Sequence, residues 1–251
     1  MNAGLKIELN RLTQQYFNIA LSHVQNSAEL SLKLKEVVAR LNLKEQAELP
    51  GYEDRNVRFG KFENREFVVM MTDIRDSTRI INGENGLVNM FLIFYVYAGI
   101  VAKIVDNHNG TSTEFLGDGV LNLFDTKDTG RDQALVNSMA ASWDIMEAMD
   151  DILNPFFLDN ELPAINMGIG IDHGITIVTR FGYRNDTDLK AFGKCTYNVS
   201  KLCKKVNQIM VSENSMTVWP SGENGTLNFI YPQNIEGKLA YCAVNTKIQN
   251  G

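Results

Sequence analysis

Near the N-terminus the apolar positions Leu5, Leu9, Leu12, Tyr16, Ile19 and His23 recur at steps of three and four, and Leu30, Leu34, Val37 and Leu41 repeat the pattern. Residues at those steps share one helical face, so the spacing predicts the seams of two amphipathic helices. Asn26 stands three residues before Glu29, where an Asn side chain accepts the free amides of a helix's first turn. The two helices read either as packing on the chain that follows or as a dimerising or signal-receiving segment. Pro50-Gly51, set among mixed charges, reads as a linker. The chain divides on this pattern into an N-terminal helical segment over 1–47, a linker over 48–61 and one large domain over 62–246.

Within the large domain the period changes. Phe67-Val68-Val69-Met70-Met71 is a continuous apolar run of strand length, the pattern of a strand covered on both faces. Ser77 reads as the cap of a following helix, and Leu87 to Asn107 extends the helical stretch until Asn109-Gly110. Ser112 to Leu116 and Val120 to Phe124 are two short strands joined by Gly117-Asp118-Gly119, a hairpin signal. Ala134 to Ile152 reads as a helix ending at Asn154-Pro155, and Ile165 to Asp172 and Ile175 to Arg180 as two strands about His173-Gly174. A helix from about Thr196 to Val206 and a strand at Gln208-Ile209-Met210-Val211 follow. Strand, helix, hairpin, helix, strand is the order of a ferredoxin-like α+β core, here with additions.

Composition narrows the function. At 251 residues and 44% hydrophobic, the chain has the means to bury a substantial core. Its net charge of −6 argues against a polyanion-binding surface. An anionic substrate must bring its own metal ions or meet a local basic patch. The three cysteines, Cys195, Cys203 and Cys242, lack metal-ligand spacing and read as free thiols of a reducing, cytoplasmic compartment. No basic start with an apolar core opens the chain, as a signal peptide would. The uncharged run Leu87 to Ala102 is shorter than the ~20 residues of a membrane span and is closed by Lys103 and Asp106. It is expected to be a core helix.

The chemistry lies in two aspartates. Asp73 ends the first strand and Asp118 sits in the hairpin turn. On neighbouring strands their carboxylates would face each other, and Mg²⁺ takes one or two carboxylates together with phosphate oxygens and water. Either aspartate alone is weak evidence, because turns are rich in Asp. Met71-Thr72-Asp73-Ile74-Arg75-Asp76-Ser77-Thr78 and Phe115-Leu116-Gly117-Asp118-Gly119 together resemble the metal site of class III nucleotidyl cyclases. Later segments extend the resemblance in order over roughly residues 62–246. Ile169-Gly170-Ile171-Asp172-His173-Gly174 resembles the family's Gly-Ile-His-x-Gly strand end. Phe192 to Leu202 resembles its Gly-Asp-x-Val-Asn-x-Ala-x-Arg-Leu helix, and Gln208 to Ser212 its Gln-Ile-x-Val-Ser strand.

The resemblance implies a class III cyclase fold and two divalent metal ions, Mg or Mn, on Asp73, Asp118 and the Ile74 carbonyl. It also implies phosphate contacts around Arg75, Ser77 and Thr78 and a homodimer whose sites are split between chains. Several positions depart from the family pattern. Its helix Arg falls on Lys201, which keeps the charge but loses the bidentate fork. Its Asn falls on Tyr197, with Asn198 one step later, and either can share a face with Lys201. Its arginine before the Gly-Ile-His strand end is Gly168. Its Lys-Gly-Lys is Glu236-Gly237-Lys238, which leaves Lys238 as the substitute; Arg79 and Arg184 are further candidates for phosphate.

Base choice is the sharpest departure. Where adenylyl cyclases carry Lys and Asp, this chain carries Glu114 and Lys190. A swapped pair suits a base edge with a ring N–H and a carbonyl, which uracil and guanine present. Guanylyl cyclases also carry Glu at the first position, though typically Cys at the second. A mispaired polar group in such a pocket costs ~1–3 kcal/mol. The two side chains also read as simply pairing with each other. The expectation is a UTP-favouring cyclase, with CTP and then GTP behind. It is most like the pyrimidine cyclases of bacterial anti-phage signalling, whose product activates a separate effector. The rival reading is a degenerate cyclase domain that binds nucleotide as a regulatory module.

Overall fold

The computed structural model describes residues 1–25, 62–183, 186–220 and 227–245. The second predicted helix, the Asn26 cap, the linker over 48–61 and Arg184 lie outside the described residues. The chain runs α1 (Ala3–Gln25), β1 (Phe62–Arg75), α2 (Ser77–Ile81), α3 (Gly86–Asn107), β2 (Gly110–Leu116) and β3 (Gly119–Asp125). A short α4 (Thr126–Thr129), α5 (Arg131–Ala148), α6 (Asn154–Asp159), β4 (Asn166–Tyr183) and β5 (Asp186–Phe192) follow. The last elements are α7 (Lys194–Leu202), β6 (Ile209–Ser212), α8 (Glu213–Thr217), β7 (Leu227–Ile235) and β8 (Lys238–Asn245).

The strands form one sheet in the order β2-β3-β1-β4-β6-β8-β7, with β5 paired to the far half of β4. Its antiparallel β2-β3-β1-β4 portion, crossed by α3 and α5, is the expected ferredoxin-like α+β core. The apolar run of β1 serves two cores. Val68, Met70 and Ile74 face a layer built by α1, α3 and α5. Phe67, Val69 and Met71 face the other way, against Cys195 and Val199 of α7. Both faces are covered, so β1 shows no polar alternation.

Helix α3 is long and apolar enough to cross a membrane, with mean hydropathy 1.9, and half of that stretch is buried inside the protein. Met90, Ile93, Val96, Tyr97, Ile100 and Ile104 pack into the larger core, each worth roughly 1.5–3 kcal/mol of burial. Helix α1 lies on the same layer through Leu5, Leu9, Phe17 and Ala20. Lys103 Nζ of α3 meets Glu8 of α1 at 3.1 Å. The first helix thus packs on the large domain.

Several local expectations are corrected. Asp172 and Ile175 belong to one unbroken strand, because β4 runs straight through His173-Gly174 and pairs with β1 from Asn166 to Thr179. The helix before Pro155 does not stop there. A π-helical turn over Met149–Leu153 carries α5 into α6, with Pro155 in the first turn of α6, where its missing N–H is not needed. Helix α7 begins at Lys194 and ends at Leu202, ahead of a turn. Ser77 is not a cap: Asp76, at φ 59°, holds that place, and the Ser77 hydroxyl is used elsewhere.

Candidate active site

Asp73 and Asp118 are brought together as the hairpin reading requires. Asp73 sits directly across from Gly119 in the β1–β3 ladder, and Asp118 occupies the turn before that glycine. The Ile74 amide donates to the Asp118 carbonyl at 3.0 Å, which fixes the turn against the end of β1. Asp73 follows Met71 on the α7 face of β1 and is buried, at 8% exposure. The Ser77 hydroxyl donates to Asp118 Oδ2. Gly119 keeps the space beside Asp73 open, since a Cβ there would lie 3.1 Å from Asp73 Oδ1.

The donor set accepts a cation. Arg75 Nη2 pairs with Asp73 Oδ2 and also reaches the Ile74 carbonyl at 3.3 Å, so a carboxylate and a carbonyl converge on one positive group. Among the described residues no cluster of three or more His, Cys, Asp or Glu forms a metal site. Asp73, Asp118 and the Ile74 carbonyl are the groups at this end of β1 that could hold an ion whose other ligands are phosphate and water. Arg75 and Arg79 also line a cleft of about 590 Å³ next to this end of the sheet. Thr78 is exposed in the first turn of α2.

Glu114 and Lys190 are also brought together. Ser112 pairs with Asn122 but Glu114 pairs with Leu121, so a bulge at Thr113 shifts the register. Directly opposed residues share a face, and Leu121 belongs to the core under α7. The bulge therefore turns Glu114 onto the α7 face, where it is 9% exposed. Its Oε2 accepts from Lys190 Nζ at 3.0 Å and its Oε1 from the Ala191 amide at 2.9 Å.

Tyr197, Asn198, Lys201 and Lys238 form a third group. Lys201 Nζ lies 5.3 Å and Lys238 Nζ 5.1 Å from the centre of the Tyr197 ring, within reach of a cation–π contact. Glu236 pairs with Lys201 at 3.2 Å and Lys204 at 3.4 Å. This contact holds the Lys201 ammonium above its ordinary pKa and the Glu236 carboxyl below its own. Lys238 instead donates to Asn198 Oδ1, and Asn198 Nδ2 donates to Asp172 at 2.6 Å. Asp172 was not singled out from sequence as a functional residue. The available signal was a lone carboxylate closing the apolar run Ile169-Gly170-Ile171.

Gly168 lies across from Asp73 on β4. A Cβ there would come within 2.0 Å of the Cys203 carbonyl oxygen, so the turn after α7 occupies the room an arginine would need. The Cys203 thiol beside that turn is buried, which pushes its pKa up to about 11. It is a packing residue, not a nucleophile.

No protein-family model matches the chain. An uncharacterized protein of Mycobacterium tuberculosis is 27% identical over 142 residues, 57% of this chain and 24% of its own length. An adenylate cyclase of Anabaena cylindrica is 21% identical over 147 residues, 59% of this chain and 28% of its own. The chain thus spans about a quarter of the length of these curated relatives. Among solved structures, the adenylyl cyclase CyaB from P. aeruginosa superposes with TM-score 0.61 at 18% identity, covering 76% of this chain and all (100%) of that one. The guanylyl cyclase Cya2 does so with TM-score 0.60 at 22% identity, over 72% of this chain and 92% of its own. The fold is that of the class III adenylyl and guanylyl cyclase domains.

Proposed function

We propose that this chain is a metal-dependent nucleotidyl cyclase that converts a pyrimidine nucleoside triphosphate, UTP before CTP, into its 3′,5′-cyclic monophosphate and pyrophosphate. The observation that carries the reading is Asp73 at the end of β1 and Asp118 in the adjoining β2–β3 turn of a cyclase fold, locked together by the Ile74–Asp118 backbone bond. Asp73, Asp118 and the Ile74 carbonyl would hold two divalent ions, Mg or Mn. When bound, these activate the ribose 3′-OH and steady the departing pyrophosphate.

The protein's own groups do the rest. Ser77 holds the Asp118 carboxylate through its hydroxyl. Arg75, Ser77, Thr78 and Lys238 receive the phosphates. Lys201 supplies positive charge where negative charge builds at the α-phosphate, and Asn198 or Tyr197 of the same helix takes the place of the cyclase pattern's Asn. Glu114 and Lys190 read the base. Their mutual contact is compatible with that role, because an ammonium keeps further protons and a carboxylate further lone pairs. A homodimer with sites split between chains is supported by the apolar side chains on the β4–β5 arm. Ile175, Phe181 and Phe192 are 62%, 67% and 52% exposed there. Cytoplasmic location accords with three buried free cysteines. A role for the product in anti-phage defence, acting on a separate effector, rests on the resemblance to pyrimidine cyclases alone.

Purified protein given equal ATP, GTP, CTP and UTP with Mn²⁺, its products resolved by mass spectrometry beside the Asp118→Ala variant, tests the reading. Cyclic UMP that disappears in the variant supports it. Cyclic CMP, GMP or AMP keeps the enzyme and overturns the base assignment. The second reading, a nucleotide-binding regulatory domain, is favoured by Gly168, where no phosphate-binding side chain fits. Nucleotide binding without any cyclic product would establish it.

A further inference from the structure

Asp172 is 1% exposed, and four donors converge on its carboxylate. The His173 amide reaches Oδ1 at 2.9 Å, the Ser212 hydroxyl reaches Oδ1 at 2.5 Å and the Ser215 hydroxyl at 3.3 Å. Oδ2 receives Asn198 Nδ2 at 2.6 Å. Among the described residues no Lys, Arg or His pairs with it directly. A buried carboxylate without a cation beside it is costly unless hydrogen bonds replace the lost water, and here three of the four donors are local to β4, β6 and α8. The fourth leads outward.

That fourth bond decides which way Asn198 points. An Asn amide is ambiguous unless its neighbours differ in kind. Here one neighbour is an acceptor, the Asp172 carboxylate, and the other is a donor, the Lys238 ammonium. Only one orientation satisfies both: Nδ2 inward and Oδ1 outward. Lys238 is thereby tethered over the Tyr197 ring, and no carboxylate pairs with it among the described residues. Its charge stays free for a ligand. Lys201, which approaches the same ring, is paired with Glu236.

We infer that Asp172 is a positioning residue: acting through Asn198, it holds the Lys238 ammonium where it receives the triphosphate. The inference deepens the cyclase reading and rests on it. Removing the carboxylate's preference, as in Asp172→Asn, lets the Asn198 amide turn and present its NH₂ to Lys238, which repels the ammonium from its place.

The probe is inorganic tripolyphosphate with Mn²⁺, which is independent of base choice, titrated calorimetrically into the full chain. Asp172→Asn is expected to weaken binding about tenfold in the wild-type background and to have no further effect in Lys238→Ala, because the route runs through that lysine. Asn198→Ala leaves the other three donors on Asp172 in place, cuts the same link and is expected to give the same loss of binding, with Tm lowered only by the cost of the one bond lost at Oδ2. It serves if Asp172→Asn does not fold. Equal losses from Asp172→Asn with and without Lys238, or Asn198→Ala binding as wild type, overturn the inference, as does wild type that binds no tripolyphosphate. Failure of the cyclase reading shows separately, as wild type that makes no cyclic product from any nucleotide.

Discussion

Glu114 and Lys190 meet at 3.0 Å across the gap between β2 and β5, the two strands that flank the core under α7. Because the Ala191 amide takes the other oxygen of Glu114, the pair is anchored and not a chance surface contact. Its polarity is the reverse of the adenine-reading arrangement. Exchanging the charges in Glu114→Lys with Lys190→Asp is expected to shift the preferred substrate toward ATP. Glu114→Ala alone should lower kcat/KM for UTP about tenfold to a hundredfold, since each mispaired polar group costs ~1–3 kcal/mol. Competition among the four nucleotides in one reaction checks both. An exchanged variant that keeps the wild-type order of substrates removes the pair from base reading.

On the proposed function, Asp73 and Asp118 hold the metal ions together. Asp118→Ala is expected to lower turnover by about a hundredfold or more, because metal ions contribute several kcal/mol of charge stabilisation to such reactions. Mn²⁺ binding followed by electron paramagnetic resonance should fall in parallel in both Asp118→Ala and Asp73→Ala. Unchanged Mn²⁺ affinity in both variants would move the metal elsewhere.

Gly168 is where the cyclase pattern places an arginine, and restoring that residue should not help. A side chain at 168 would drive into the Cys203 carbonyl oxygen, 2.0 Å from an added Cβ. Gly168→Arg is expected to destabilise the fold by about 1–3 kcal/mol or more, as overpacking does, and to lose activity with it. Thermal unfolding of Gly168→Ala, the smallest change, reads the packing cost by itself. A Tm equal to wild type would contradict the geometry.

His173 gives a pH dependence. Burial lowers its pKa below the ordinary value, while Asp172 and Glu66 pull upward and Arg131 downward. The unfolded chain therefore binds a proton at a pH where the folded one does not, so stability rises with pH through this window. The contribution is present above the ordinary histidine pKa and is lost as pH falls below it. Wild-type Tm should thus drop more steeply between pH 7 and pH 5 than that of His173→Gln, measured by scanning calorimetry at matched ionic strength. Parallel slopes would remove His173 as the source.

Much of this protein was legible along the chain because it depends on local pattern. The two-sided burial of β1 follows from Phe67 to Met71 being apolar without alternation, and the Gly117-Asp118 turn from residues that favour it. Asp73 and Asp118 could be paired because their two segments together resemble the metal site of class III nucleotidyl cyclases. What sequence reading missed depends on packing between elements distant in the chain. The bulge at Thr113 turns Glu114 to the α7 face, although two-residue spacing places it with Ser112. Strand β4 continues through Gly174 because β1 pairs along its length. Asp172, buried under α7 and α8, acquires its partners Asn198, Ser212 and Ser215 only when two separate segments close on it. Side-chain alternation and turn propensity act over a few residues and are written in order along the chain. Hydrogen-bond satisfaction of a buried carboxylate is a property of the closed core, so only the tertiary structure decided it.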